Sequence, residues 1–176
     1  YLNDEQIELY IKNIINDNLN DEENLEDSTK LIANLKISPK SNKIIYYWIL
    51  FLLENKDNQD KIMILFCNCF QNKIIKYNTL KYGLIEFLVD YNNFKWDYPN
   101  INNVLKMFIK ICKMKLFLTS DNINYIFSKS SCDEKENILY SLQVLSDTAL
   151  IIIIYLSYKL NYLFFHQVFI LQLKLN

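Results

Sequence analysis

The chain has 176 residues, a net charge of −1, an apolar share of 51% and a single glycine. That length suits one domain with a sizeable core. The near-neutral charge supplies no long-range field for nucleic acid, and one glycine leaves little with which to build a phosphate-cradling loop.

In chain order, Glu5 to Ile15 reads as a first helix with Ile7, Tyr10, Ile11 and Ile14 on one stripe. The acidic, polar run Asp17 to Glu23 is a loop. A second helix follows, with Leu25, Leu31, Ile32 and Leu35 predicted as its buried side, and Lys36 to Pro39 breaks the pattern. Asn42 to Glu54 is apolar nearly all round and is expected to be the most buried helix. Its apolar run, Ile44 to Leu53, is too short to span a bilayer. After a polar turn at Asn55 to Gln59, a fourth helix over Asp60 to Asn72 buries Ile62, Leu65, Phe66, Cys69 and Phe70. Lys73 to Asn78 turns the chain into the next pair.

Asn78 to Phe117 organises the chain. Leu80, Leu84, Phe87 and Leu88 share one face before Trp96-Asp97-Tyr98-Pro99, and Val104, Leu105, Phe108, Ile109 and Cys112 share one after it. This predicts two amphipathic helices joined by a short bend. Pro99 pushes Tyr98 out of the helical region and suits the first turn of the following helix. Asp97 is placed to cap that helix and to favour its positive end. Beyond Phe117, Thr119 or Ser120 can cap a short helix through Phe127. After a polar break at Ser128 to Cys132, Asp133 to Leu145 reads as another helix, with Ile138, Leu139, Leu142 and Leu145 apolar.

Three readings fit the apolar stretch Ala149 to Leu175: a terminal helix or helix pair packed on the domain, a membrane anchor interrupted by Lys159, His166 and Lys174, or translated AT-rich non-coding sequence such as a retained intron. No leader is read at the N-terminus, where Tyr1 looks like an internal start. There is no sustained heptad, no strand alternation and no sequence repeat of fixed period. The expected fold is all-α: stacked antiparallel helical hairpins in an α-solenoid-like layout.

Little of the chain points to chemistry. Cys67, Cys69, Cys112 and Cys132 lack zinc-ligand spacing and read as free thiols in a reducing cytosol. His166 has no acid or nucleophile near it in sequence. Asp21, Glu22, Glu23, Glu26 and Asp27 lack the glycine and spacing of a calcium loop. The expectation is a non-enzymatic binding module without cofactor or metal. Two classes compete: an adaptor that docks on a protein through loops and helix ends, and an RNA binder using Lys106, Lys110, Lys113 and Lys115. All nineteen basic residues are lysine, and Asn, Ile and Tyr are heavily used. AT-rich codons favour that set, which weakens the RNA reading.

The segment KYGLIEFLVDYNNFKWDYPNINNVLKMFI resembles the signature of the MA-3 domain family. There a helix carries a basic residue, a variable one and a glycine, followed by Asp-x-Pro and a helix reading Leu-x-x-Phe-Ile. Lys81, Gly83, Asp97, Pro99, Leu105, Phe108 and Ile109 match it. The resemblance implies an atypical HEAT-like domain over 1–131, with 132–176 as a C-terminal extension. MA-3 domains occur in the initiation factor 4G scaffold and in programmed cell death protein 4, and they bind the DEAD-box RNA helicase initiation factor 4A. The resemblance therefore implies a cytoplasmic adaptor in cap-dependent translation, contacting that helicase, with other initiation factors as further candidate partners and no membrane; an inhibitor of the cell-death type is the related alternative. The contact residue that the resemblance implies is Asp97; Asp90 and Glu86 lie close to it in sequence and are expected to help. The chain departs from inhibitory members at two family acidic positions, occupied here by Asn93 and Tyr47. Gly83 and Pro99 are the structural elements of the motif.

Overall fold

The computed structural model describes residues 1–20, 25–35, 37–38 and 42–143. They form helices α1 (Asp4–Asn20), α2 (Leu25–Asn34), α3 (Lys43–Glu54), α4 (Gln59–Gln71), α5 (Tyr77–Val89), α6 (Tyr91–Asp97), α7 (Ile101–Met114) and α8 (Ser120–Ser128), with a 3₁₀ turn at Lys56–Asn58. Residues 135–143 are also helical, and no strand occurs among the described residues. Helices α1 to α8 belong to a unit spanning Tyr1–Ile138; Leu139–Asn176 is a second unit. Leu145, the stretch from Ala149 to Leu175 with His166, Lys36, Pro39 and the acidic residues Asp21 to Glu23 lie outside the described residues.

The core is centred on α3, which packs most extensively on α5 and α1. Ile44, Ile45, Trp48, Ile49, Phe51, Leu52 and Leu53 are all buried, each of the larger ones worth roughly 1.5–3 kcal/mol of transfer free energy. The Trp48 indole N–H donates to the carbonyl of Ile62 on α4 at 3.3 Å, so its one polar atom is satisfied. Ring contacts from Trp48 to Phe66 (5.5 Å) and from Phe66 to Phe108 (4.8 Å) tie α3 to α4 and α7.

Several expectations about the core need correction. Tyr10 and Leu31 are exposed, and Leu25, Leu35 and Phe70 are only half-buried. On α2 the inward side is Ser28, Thr29 and Ile32. Thr29 donates to the carbonyl of Leu25 (2.6 Å) and accepts from the Asn68 amide on α4 (2.8 Å), so small hydrogen-bonded side chains face α4 where leucines were expected. The bend before α7 is also not a simple loop. Seven residues of it, Tyr91–Asp97, form α6, anchored by the buried Tyr91, whose hydroxyl donates to Asn102 on α7.

The structure reveals a register that the sequence hides. The hairpins α4–α5 and α7–α8 turn in the same way 43 positions apart. Lys73 (φ 61°) and Leu116 (φ 59°) both adopt the left-handed conformation. The carbonyl of Cys69 accepts from the N–H groups of Ile74 and Ile75, and that of Cys112 accepts from Phe117 and Leu118. Buried positions correspond pair by pair: Ile62 with Leu105, Leu65 with Phe108, Phe66 with Ile109, Cys69 with Cys112, Ile75 with Leu118, and Leu80 with Ile123.

Candidate functional site

The predicted site residues gather around the C-terminal end of α5, and Gly83 sets its position. A Cβ at residue 83 would lie 2.5 Å from Ile45 Cβ and 2.7 Å from the Asn42 carbonyl oxygen, so α5 crosses the start of α3 almost backbone to backbone. One turn further along, Glu86 pairs with Lys43 at 2.6 Å. The Lys43 ammonium also sits over the Tyr46 ring, 4.4 Å from its centroid. The Tyr46 hydroxyl donates to Asp90 Oδ2 at 2.9 Å. Burial, followed by this bond to Asp90, holds the Tyr46 hydroxyl well above the ordinary tyrosine range.

Tyr46 is the residue that sequence reasoning missed, and it joins several that were predicted. Its ring meets Tyr47 (5.6 Å), Phe87 (5.6 Å) and Phe94 (5.9 Å); Phe94 stacks on Phe87 and leans on Tyr98. Tyr47, the residue after Tyr46 on α3, is half-buried. Burial pushes its hydroxyl pKa up, and the Glu8 and Asp4 carboxylates of α1 push it further. The edge thus receives acidic residues from α1 that are distant in sequence from the motif.

Asp90 caps the start of α6 through its backbone, its carbonyl accepting from the N–H of Asn93 at 2.9 Å. The inner side of α6 is fixed by Tyr91 and Phe94. Lys95 pairs with Asp133 (2.9 Å) and Glu134 (3.5 Å), Asn92 donates to the carbonyl of Ser131, and Ser131 donates to the carbonyl of Val89. The remaining face, Asn93, Trp96 and Asp97, has the i, i+3, i+4 spacing of a single helical stripe. All three side chains are exposed, Trp96 to 84%.

Asp97 does not cap α7. It is the last residue of α6, and the N-cap of α7 is Asn100, which makes no side-chain capping bond and whose buried Oδ1 has no partner among the described residues. Pro99 lies exposed in the turn between the two helices. Asp97 forms no hydrogen bond or ion pair among the described residues, whereas Glu86 and Asp90 are both engaged within the fold. The three carboxylates are therefore not equivalent, and only Asp97 offers an uncommitted charge.

Elsewhere, an apolar groove of about 480 Å³ between α2, α4 and α7 is lined by Leu25, Met63, Ile64, Cys67 and Ile111, with Lys115 of the candidate RNA-binding lysines at its edge and none of the residues of the α6 site. The four thiols are free, Cys67 half-buried and the others buried. No group of three His, Cys, Asp or Glu side chains among the described residues could hold a metal ion, and no described helix is long and apolar enough to cross a membrane. Set against family models, curated proteins and solved structures, the chain matches none of them.

Proposed function

We propose that the helical domain over 1–131 is an MA-3-like, HEAT-like adaptor of an initiation factor 4G-type scaffold, acting in the cytoplasm without enzymatic activity of its own. Its partner in this reading is a DEAD-box RNA helicase of the initiation factor 4A type. The observation that carries it is the exposed stripe Asn93–Trp96–Asp97 on a helix clamped from both sides. An uncommitted carboxylate beside a solvent-exposed indole suits a partner that brings a cation and an apolar pocket. The aspartate of the Asp-x-Pro motif in the resemblance is Asp97 of this stripe.

The HEAT-like part of the reading is supported by the shared register of α4–α5 and α7–α8, and by α5 packing on both α3 and α8. Recruitment is favoured over inhibition because Glu86 and Asp90 are already paired and Asn93 and Tyr47 carry no charge, leaving one free carboxylate for a hold that inhibitory members make with more.

The test is calorimetry with the helicase from the same organism, on the wild type, Asp97→Asn and Trp96→Ala. Loss of the Asp97 charge is expected to weaken binding by about 1 kcal/mol at a solvated rim. Truncation of Trp96 is expected to weaken it by about 2 kcal/mol or more. Wild-type protein that does not bind the helicase at all would remove the proposal. A bound complex whose ATP hydrolysis is suppressed instead of sustained would favour the inhibitor of the cell-death type.

A further inference from the structure

The shared register of the two hairpins places Tyr82 on α5 and Tyr125 on α8 at equivalent positions, and both rings are exposed, to 45% and 41%. The Lys81 ammonium lies between them, 3.9 Å from the Tyr125 centroid and 5.3 Å from that of Tyr82. Lys129 stands over Tyr125 at 5.7 Å. Neither lysine forms an ion pair among the described residues. No carboxylate occurs in the sequence from Lys61 to Ile85 or from Asn122 to Cys132; the carboxylates on the two helices are Glu86, which is paired with Lys43, and Asp121, one turn before Tyr125.

We propose that Lys81, Tyr82, Tyr125 and Lys129 form a docking surface for single-stranded RNA. Two aromatic faces presented by equivalent helices can each take one base, because every base has a π-face. The lysines, held over the rings by weak cation–π attraction at an exposed site, swing off to phosphate oxygens as bases replace them. This is cation and aromatic interleaving of the kind that single strands use, and it needs no net positive charge on the whole molecule. A protein partner is less suited, because the surface offers cations and polar-tipped rings without an aliphatic pocket. The surface is distinct from the lysine face of α7 (Lys106, Lys110, Lys113). The choice of RNA over DNA rests on the adaptor reading: Tyr82 precedes Asp90 by eight residues on α5, about 12 Å along the axis, so a helicase held at the α6 stripe would find its substrate strand alongside.

The experiment is fluorescence anisotropy of a labelled oligouridylate, and of the DNA of matching sequence, titrated with the whole chain at low salt. Binding that falls steeply with added salt is expected. Tyr82→Ala and Tyr125→Ala should each weaken it about ten-fold or more, Lys81→Glu should weaken it and make its salt dependence shallower, and Tyr82→Phe should keep wild-type affinity because the ring remains. Tyr82, Tyr125 and Lys129 are exposed and Lys81 is half-buried, and an unchanged circular dichroism melt will separate loss of the surface from loss of the fold. The proposal is overturned by absence of binding at low salt, by alanine variants that bind as wild type, or by binding that disappears only when Lys106, Lys110 and Lys113 are changed. Equal affinity for the DNA strand overturns the choice of RNA. Unchanged helicase affinity in the tyrosine variants would keep this surface separate from the α6 stripe, whichever of the two readings fails.

Discussion

Gly83 and Ile45 lie so close that a Cβ on residue 83 would come within 2.5 Å of the Ile45 Cβ. The Asn42 carbonyl, 2.7 Å away, belongs to the backbone at the start of α3 and cannot swing aside. Two effects oppose each other at this position. Alanine in place of glycine would favour the helix by about 1 kcal/mol, while overpacking typically costs about 1–3 kcal/mol. With backbone on one side of the overlap, the second effect wins. Gly83→Ala is expected to lower stability by about 1–2 kcal/mol in a urea melt, and Gly83→Leu by more. An alanine variant as stable as the wild type would show that α3 and α5 can separate at no cost.

Asp90 and Asp97 make opposite predictions under the same substitution. Asp90→Asn weakens the bond from the Tyr46 hydroxyl and is expected to cost about 1 kcal/mol of stability. Asp97→Asn removes a charge that makes no capping bond, and the melt should not move by more than a few tenths of a kcal/mol. Thermal melts of the two variants side by side check this. A large loss for Asp97→Asn would mean that its charge supports the start of α7 after all.

Alkaline pH should unfold the domain through its buried thiols. Burial pushes Cys69 up to about 12, partly offset by the neighbouring Thr29 hydroxyl, and pushes Cys132 up to about 11; the ordinary value is 9.0. The unfolded chain releases these protons at lower pH than the folded one. Their contribution is therefore fully present below pH ~9 and is lost as pH rises through ~12, with Cys69 accounting for on the order of 4 kcal/mol. Tyr46 and Tyr91, raised chiefly by burial, act in the same direction at higher pH. Urea midpoints measured from neutral to strongly alkaline pH should fall steadily, and less steeply in Cys69→Ala. A flat profile would mean that water reaches the thiols.

At the start of α8, Thr119 accepts from the N–H of Asn122 (3.2 Å) while the Asn122 side chain accepts from the N–H of Thr119 (2.9 Å). The start of α1 carries a box of the same kind, with Asn3 and Gln6 exchanging backbone N–H to side-chain oxygen bonds at 3.0 and 2.8 Å. Thr119→Ala should cost about 1 kcal/mol, and hydrogen exchange should localise the loss to the first turn of α8. Exchange unchanged at Ser120 to Ile123 would count against it.

The faces of α5 and α7 were legible in the sequence because each buries a long stripe with helical period. Thr119 was legible from the polar residues that follow it. α6 was not. It is barely two turns long, and its inward residues, Tyr91 and Phe94, are separated by asparagines that read as a break. α2 misled for a different reason: a close approach to α4 selects small hydrogen-bonding side chains, and an apolar count assigns the wrong face. The 43-residue register is hidden because, from Ile62 to Ile85 against Leu105 to Ser128, only Cys69/Cys112 and Tyr82/Tyr125 are identical. At the α6 edge, Asp97 and its motif were readable, but Tyr46 looked like core, and nothing local announces that Lys43 and Tyr46 would occupy Glu86 and Asp90.

The two left-handed turns bear on why the chain keeps any glycine at all. At Lys73 and Leu116 the backbone has the conformation that glycine adopts most easily, and a side chain there is disfavoured by roughly 1–2 kcal/mol. Both turns nonetheless carry side chains, whereas at residue 83 an added Cβ would meet the Asn42 carbonyl and Ile45. The α3–α5 crossing therefore tolerates a side chain less well than either left-handed turn.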